Sequence, residues 1–318
     1  MAITLLQMKE TSDSTLTPWV IDEFVTDPLL EYLPFDNTVK AGGQGQSLSY
    51  SYNRVVKYGT AQTRALNTEY TPDMAETKRV TVDLKQFGGS FEIDRVLQKH
   101  EVQVIASRFQ FEAEQKIKAT RALFAHMFIN GDAEGDPTQF TGIDKIVTGT
   151  STEYIPAATV DISTAAAVEA NAKDFMFDLR QALKPLNATP TFMLVNPDLF
   201  ATFQSVADEL TGFTTRKTDL GTEILSYGRI GILETGNRPG TNDPIIPTAA
   251  DGTTSAYFVR LGLDGVHAVS PSGMSPVDVY MPDWSAPGAV KRGEVEMLGA
   301  VAVKDTRSIA AFRNIKVV

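Results

Sequence analysis

The sequence predicts an α+β protein, and three observations predict it. One helical pattern persists from about residue 95 to 130, well beyond the ordinary helix length. Two segments of strict two-residue alternation, 47–52 and 80–84, bracket about thirty residues poor in apolar side chains. The final region, from 256 onward, reads mostly as short strands.

The elements follow in order. Residues 1–40 are broken by Pro18, Pro28 and Pro34, yet carry Trp19, Phe24, Leu29, Leu30, Tyr32, Leu33 and Phe35. Acidic groups dominate here, among them Asp13, Asp22, Glu23, Asp27, Glu31 and Asp36, against only Lys9 and Lys40. Two readings stand side by side: a helix packed on its own domain, or an arm that buries its apolar side chains against a neighbouring subunit. Gly42, Gly43 and Gly45 then open an extended segment. The alternations at 47–52 and 80–84, with a third short run at 91–93 after Gly88 and Gly89, are half-buried strands. The long connection between the first two holds Arg54, Lys57, Arg64, Lys78 and Arg79. It reads as a projecting two-stranded loop whose basic side chains meet an acidic partner surface.

Asp94 is a plausible N-cap for the long helix. Val102, Ile105, Phe109, Ala113, Ile117, Thr120, Phe124 and Met127 repeat at three- and four-residue steps, one continuous apolar stripe. At ~1.5 Å per residue the helix spans about 45 Å. Phe111 and Leu123 fall off that stripe, so a second face is covered. After Gly131 a turn-rich stretch leads to an α–β–α block. Ser163 or Thr164 caps a helix with face Val168, Ala172, Phe175, Leu179 and Leu183, stopped by Pro185. Residues 191–195 form a buried strand, and Asn196 with Pro197 starts the next helix. The Gly-rich stretch 211–250 reads as loop, and strands are expected at 257–260, 266–269, 277–281, 294–303 and 309–317.

Composition narrows the function. The chain has 318 residues, no cysteine and a formal net charge of −10. Thiolate metal sites, disulfides and cysteine nucleophiles are thereby excluded. The acidity argues against gripping nucleic acid, which takes many phosphate contacts from Lys and Arg. No secretory signal opens the sequence, and no apolar run approaches the ~20 residues that cross a bilayer. His100, His126 and His267 are the only histidines, none spaced to share a metal. Neither a nucleophile elbow nor a phosphate-binding loop is present. Asn130, Asp132, Glu134, Gly135 and Asp136 approach a calcium-loop pattern, but Thr141 stands where a bidentate Glu is needed. An acidic surface turn at a helix end is the plain reading. No catalytic residue, cofactor or metal is expected. The unusual features are surfaces suited to other chains.

The order of parts resembles the major capsid proteins of tailed bacteriophages, the Hong Kong 97 fold family. Asn53 and Arg54, with the stretch from Arg64 to Glu69 and Tyr70, look like the strands and tip of that family's extended loop. The run from Phe128 to Asp132, continuing to Pro137 and to Thr141, Gly142 and Ile143, is similar to the exit of its spine helix. The run from Phe192 to Pro197 looks like its axial-domain strand and helix start. The resemblance implies an N-terminal arm at 1–40, an extended loop at 41–92, a spine helix and peripheral domain at 93–145, an axial domain at 146–255, and returning strands at 256–318. It further implies a virion subunit, assembled in the host bacterial cytoplasm, that forms hexamers and pentamers of an icosahedral shell around double-stranded DNA. Its partners would be its own copies, with a portal, a scaffold or maturation protease, and a decoration protein. A scaffolding segment is expected to be absent, separately encoded or already removed, and no covalent crosslink is expected. The contact candidates are Trp19, Phe24, Leu30, Arg54, Lys57, Arg64, Glu69, Phe111 and Leu123. Rival readings are an encapsulin-type compartment on the same fold, an enzyme with a loop-built site in 211–250, and a β-dominated tail component.

Overall fold

The computed structural model describes residues 2–3, 28–39, 48–57, 59–94, 102–209, 213–217, 223–238, 240–272, 277–283, 285 and 287–318. The N-terminal region shows β1 (Ala2–Ile3), a short helix α1 (Pro28–Tyr32) and β2 (Phe35–Val39). Then come β3 (Ser49–Lys57) and β4 (Glu76–Asp83), paired antiparallel as an isolated ribbon, and β5 (Lys85–Asp94). The projecting loop expected from the two alternations is this ribbon. Its strands run further than the alternation marks, because a ribbon exposed on both faces needs no apolar residue beyond its base.

The long helix α2 is Val102–Asn130, and the residues between Asp94 and Val102 lie outside the described set. Of the predicted stripe, Ala113, Ile117, Thr120, Phe124 and Met127 are buried, and the side chains of Val102, Ile105 and Phe109 lie outside the described residues. The helix ends on two glycines. Gly131 N–H donates to the Met127 carbonyl, and Gly142 N–H donates to the Gly131 carbonyl. A Cβ on Gly131 would strike the Phe140 carbonyl, and one on Gly142 the Ile129 carbonyl, so only glycine permits this close crossing.

The following elements are α3 (Ile143–Val147), β6 (Glu153–Tyr154), β7 (Val160–Asp161) and α4 (Ala165–Leu183). Thr164 caps α4, its hydroxyl accepting from Ala167 N–H at 3.2 Å. Next are β8 (Phe192–Val195) and α5 (Pro197–Glu209). Asn196 caps α5 by accepting from Leu199 N–H at 2.8 Å. Residues 211–250 depart from expectation: they hold β9 (Phe213–Lys217), β10 (Glu223–Tyr227) and β11 (Ile230–Glu234). Gly228, at φ +59°, turns β10 into β11, and the density of glycine along this stretch hid the short strands from a sequence reading. The chain ends with β12 (Thr253–Val259), β13 (Val266–Pro271), β14 (Val277–Tyr280), β15 (Val290–Val303) and β16 (Ile309–Lys316).

Two sheets organise these strands. One has the order β1-β2-β13-β15-β14, with β5 also paired along β15. The other has the order β6-β16-β12-β8-β11-β10-β9, with β7 also paired to β16. Its central strands β8, β12 and β16 are buried on both faces. Phe192, Leu194, Tyr257, Val259, Ile309 and Ala311 enter one core with the end of α2 and α3. Met193, Val195, Phe258, Ala310 and Phe312 enter the other beneath α4 and α5. Strict alternation along β8, β12 and β16 divides the two cores, as the pleat requires. In the second core Phe175 stacks on Phe312 and meets Phe203 edge-on, each ring fully buried and worth about 1.5–3 kcal/mol of transfer free energy.

Candidate subunit interface

The β3–β4 ribbon is anchored at its base by three side chains on one face of β3. Tyr50, Tyr52 and Arg54 are two residues apart and therefore point the same way. Tyr50 OH donates to Asp36 Oδ2 at 2.8 Å, and its ring meets His267 edge-on at 5.7 Å. The Lys304 ammonium lies 5.7 Å from the same ring. Tyr52 OH donates to the Val303 carbonyl at 2.6 Å, and Arg54 donates to that carbonyl at 2.5 Å. Burial, then the Asp36 carboxylate, hold the Tyr50 phenol well above its ordinary value. Burial pushes the His267 imidazole down to about 4, with the Lys304 charge adding to it.

Beyond the base the ribbon stands in solvent. Lys57 pairs with Asp73 at 3.2 Å, and Asp73 also accepts from the Thr60 hydroxyl at 2.8 Å. At the tip, Thr68 N–H donates to the Ala65 carbonyl across a turn with Asn67 at φ +64°, a conformation Asn tolerates. Arg64 donates to the Thr68 carbonyl and lies 5.3 Å from the Tyr70 ring centroid. The tip presents Leu66, 91% exposed, and Met74, 81% exposed, beside Tyr70. Three large apolar side chains on one projection are costly to leave wet, at ~25 cal/mol per Å².

Of the nine contact candidates, Trp19 and Phe24 lie outside the described residues. Leu30 is fully buried in the chain's own core, against the α2 end and the two sheets, so for this residue the helix packed on its own domain is what the structure contains. Lys57, Arg64 and Glu69 are exposed on the ribbon. Arg54 is on the ribbon too, but its guanidinium is committed to Val303 and Tyr52 of the same chain. An Arg54 substitution therefore loosens the ribbon from the body as well as removing a charge. Phe111 is 56% exposed on α2, while Leu123 is half-buried against the main core. Asp36, His267 and Lys304 went unnoticed in the sequence as loop anchors. The paired tyrosines at 50 and 52 were visible there, but nothing in the chain order brings residues 36, 267 and 304 to them.

The calcium-like turn is occupied by its own chain. Asp132 pairs with Lys145 at 2.8 Å and accepts from the Glu134 and Gly135 amides. Lys145 holds the Asp132 carboxyl below the usual range. Asn130 donates to the Ile245 carbonyl, and Asp136 caps the turn at Thr138. A second ionic centre sits under β16. Arg313 pairs with Asp144 at 2.7 Å and Glu153 at 3.0 Å and donates to Tyr257 OH at 2.9 Å. It ties α3, β6 and β12 together.

The sequence model of a family described as phage capsid protein matches residues 77–311. The chain belongs to this phage capsid protein family. Its fold is the α+β Hong Kong 97 type, and solved capsid structures align over most of its length. The holo-SrpI encapsulin complex from Synechococcus elongatus PCC 7942 aligns at TM-score 0.63 and 12% identity, covering 99% of this chain and 97% of that one. The capsid of a native GTA particle aligns at TM-score 0.57 and 13% identity, covering 90% and 89%. The capsid of Myoviridae phage XM1 aligns at TM-score 0.52 and 14% identity, covering 87% and 89%. No curated protein sequence matches the chain. As a capsid-family protein it is a shell-forming structural component, of phage or encapsulin type.

Proposed function

We propose that this chain is the major coat subunit of a tailed phage, closing through hexamers and pentamers into an icosahedral shell around double-stranded DNA. The observation that carries this reading is the ribbon: anchored at its base, wet on both faces, and tipped with Leu66, Tyr70 and Met74. A neighbouring copy is the occupant that covers such a tip. The acidic balance of the chain suits a wall that encloses DNA without gripping it. Contacts spread over a ribbon can each be weak, because shell closure makes every one effectively intramolecular. The family resemblance adds a portal, a scaffold or maturation protease, and a decoration protein as partners.

A compartment of encapsulin type is the second reading, favoured by the end-to-end likeness to the SrpI encapsulin. Negative-stain electron microscopy of the full chain, with sedimentation velocity, tests the shared claim: closed shells or rings of five and six support it, and a monomer under all conditions rejects it. Nuclease-protected DNA in shells from the native source selects the phage reading. An enclosed protein in place of DNA selects the compartment.

A further inference from the structure

The eight-stranded sheet has two chemically opposite ends. At one end β6, β7 and the outer face of α4 enclose a groove of about 430 Å³, lined by Tyr154, the 156–159 turn, Asp174, Phe177 and Asp178. Asp161 at its margin is matched by Lys316. Asp178 accepts from Tyr154 OH at 2.6 Å, which pushes that phenol up to about 12. Asp174 has no ion-pair partner among the described residues. One turn on, Phe177 is 59% exposed on the same face, and Ile155 beside the groove is 57% exposed. A carboxylate and an aromatic face three residues apart are what a guanidinium takes: a charged hydrogen bond on one side and a ring on the other.

The opposite end is β9, the last strand in the sheet order, with one edge unpaired among the described residues. Its Thr214, Thr215, Arg216 and Lys217 are all exposed. Lys217 lies 3.7 Å from Glu223, a loose pair, and Arg216 has no ion-pair partner among the described residues. Six strand spacings separate β9 from β6 in the sheet order, about 29 Å at ~4.8 Å each, and no ion pair joins Arg216 to Asp174 within the subunit among the described residues.

We propose that Arg216 of one copy seats in the Asp174–Phe177 groove of the next, a head-to-tail contact between opposite ends of the same sheet. Such a heterologous contact repeats from copy to copy and closes into a ring when the rotation allows. The aliphatic stem of Arg216 covers the Phe177 ring while its head reaches the Asp174 carboxylate. This contact rests on the shell reading above and names where one of its interfaces lies.

Charge exchange in the full chain tests it. Arg216→Asp and Asp174→Arg, made singly, each raise the protein concentration at which rings or shells appear by at least tenfold. The double exchange restores assembly. Both positions are exposed, and unchanged thermal melts show that each variant folds. The natural chain has no cysteine, so a chain carrying both Arg216→Cys and Phe177→Cys supplies a second readout without background. Oxidation of that chain gives a ladder of covalent dimers, trimers and larger rings. Wild-type shells with indifferent single variants, or no ladder from assembled double-cysteine protein, overturn the contact and leave the shell reading intact. A wild-type chain that stays monomeric removes both.

Discussion

Single residues here carry work that their neighbours in sequence do not reveal. Asn196 is fully buried and satisfied on every side. Its carbonyl caps α5 at Leu199, and its amide donates to the Thr248 and Thr254 hydroxyls at 2.8 and 3.2 Å. Asn196→Ala loses the cap and both donations to the threonine hydroxyls, which keep only their bonds to Asp198 and the Pro247 carbonyl, and should cost about 2–3 kcal/mol in urea unfolding. Thr164→Ala removes only an exposed cap and should cost about 1 kcal/mol. Equal losses would show that the buried donations contribute nothing. His267 makes a different prediction. Its folded pKa of about 4 lies below the ordinary 6.5, so between those values the unfolded chain binds the extra proton. Stability therefore falls as pH drops from about 6.5 towards 4, by something on the order of 3 kcal/mol from this group. His267→Gln should flatten that part of the profile in a urea series at pH 7, 5.5 and 4.5. An unchanged slope would place the acid sensitivity elsewhere, in the carboxylates.

At the scale of elements, the ribbon and the long helix divide the labour between reach and rigidity. The base of the ribbon is held by Tyr50, Tyr52 and Arg54, and its tip is held by local turns alone. Replacing Leu66 and Met74 together with Asp removes exposed apolar surface and touches no packed group. Monomer stability should move by less than about 0.5 kcal/mol, while sedimentation should show assembly lost. Shells from that double variant would take the tip out of the interface. The helix α2 is braced on one side by β5, where Gly89 sits against the Lys116 stem and Gly88 crosses β15 without room for a Cβ. That bracing leaves Phe111 outward-facing, on a rigid element that a neighbour can meet without ordering cost.

The whole molecule is joined through one sheet. The two main cores lie on opposite faces of β8, β12 and β16, so neither can lose its packing while the other keeps its strands. Arg313 adds a tie across α3, β6 and β12. Heating the assembly-deficient tip variant should therefore give one calorimetric transition, with equal calorimetric and van't Hoff enthalpies. Two resolved transitions would mean that the cores melt independently and that the shared sheet does not couple them.

Local pattern determined much of this protein from sequence. The 3.6-residue stripe of α2, the caps at Thr164 and Asn196, and the alternations at the base of the ribbon are short-range signals, written within a few residues of where they act. The order of those elements was enough to show the resemblance to phage capsid proteins. Three things waited for the tertiary structure, each because its partners are far apart in the chain. The strands of 213–234 are held by pairing, β11 on β8, β10 on β11 and β9 on β10, not by their own Gly-rich sequence. Leu30 is interior because it belongs to a core assembled from both sheets and the end of α2. Arg54 is an anchor, where charge alone suggested a docking group, because folding brings Val303 to it across 249 residues.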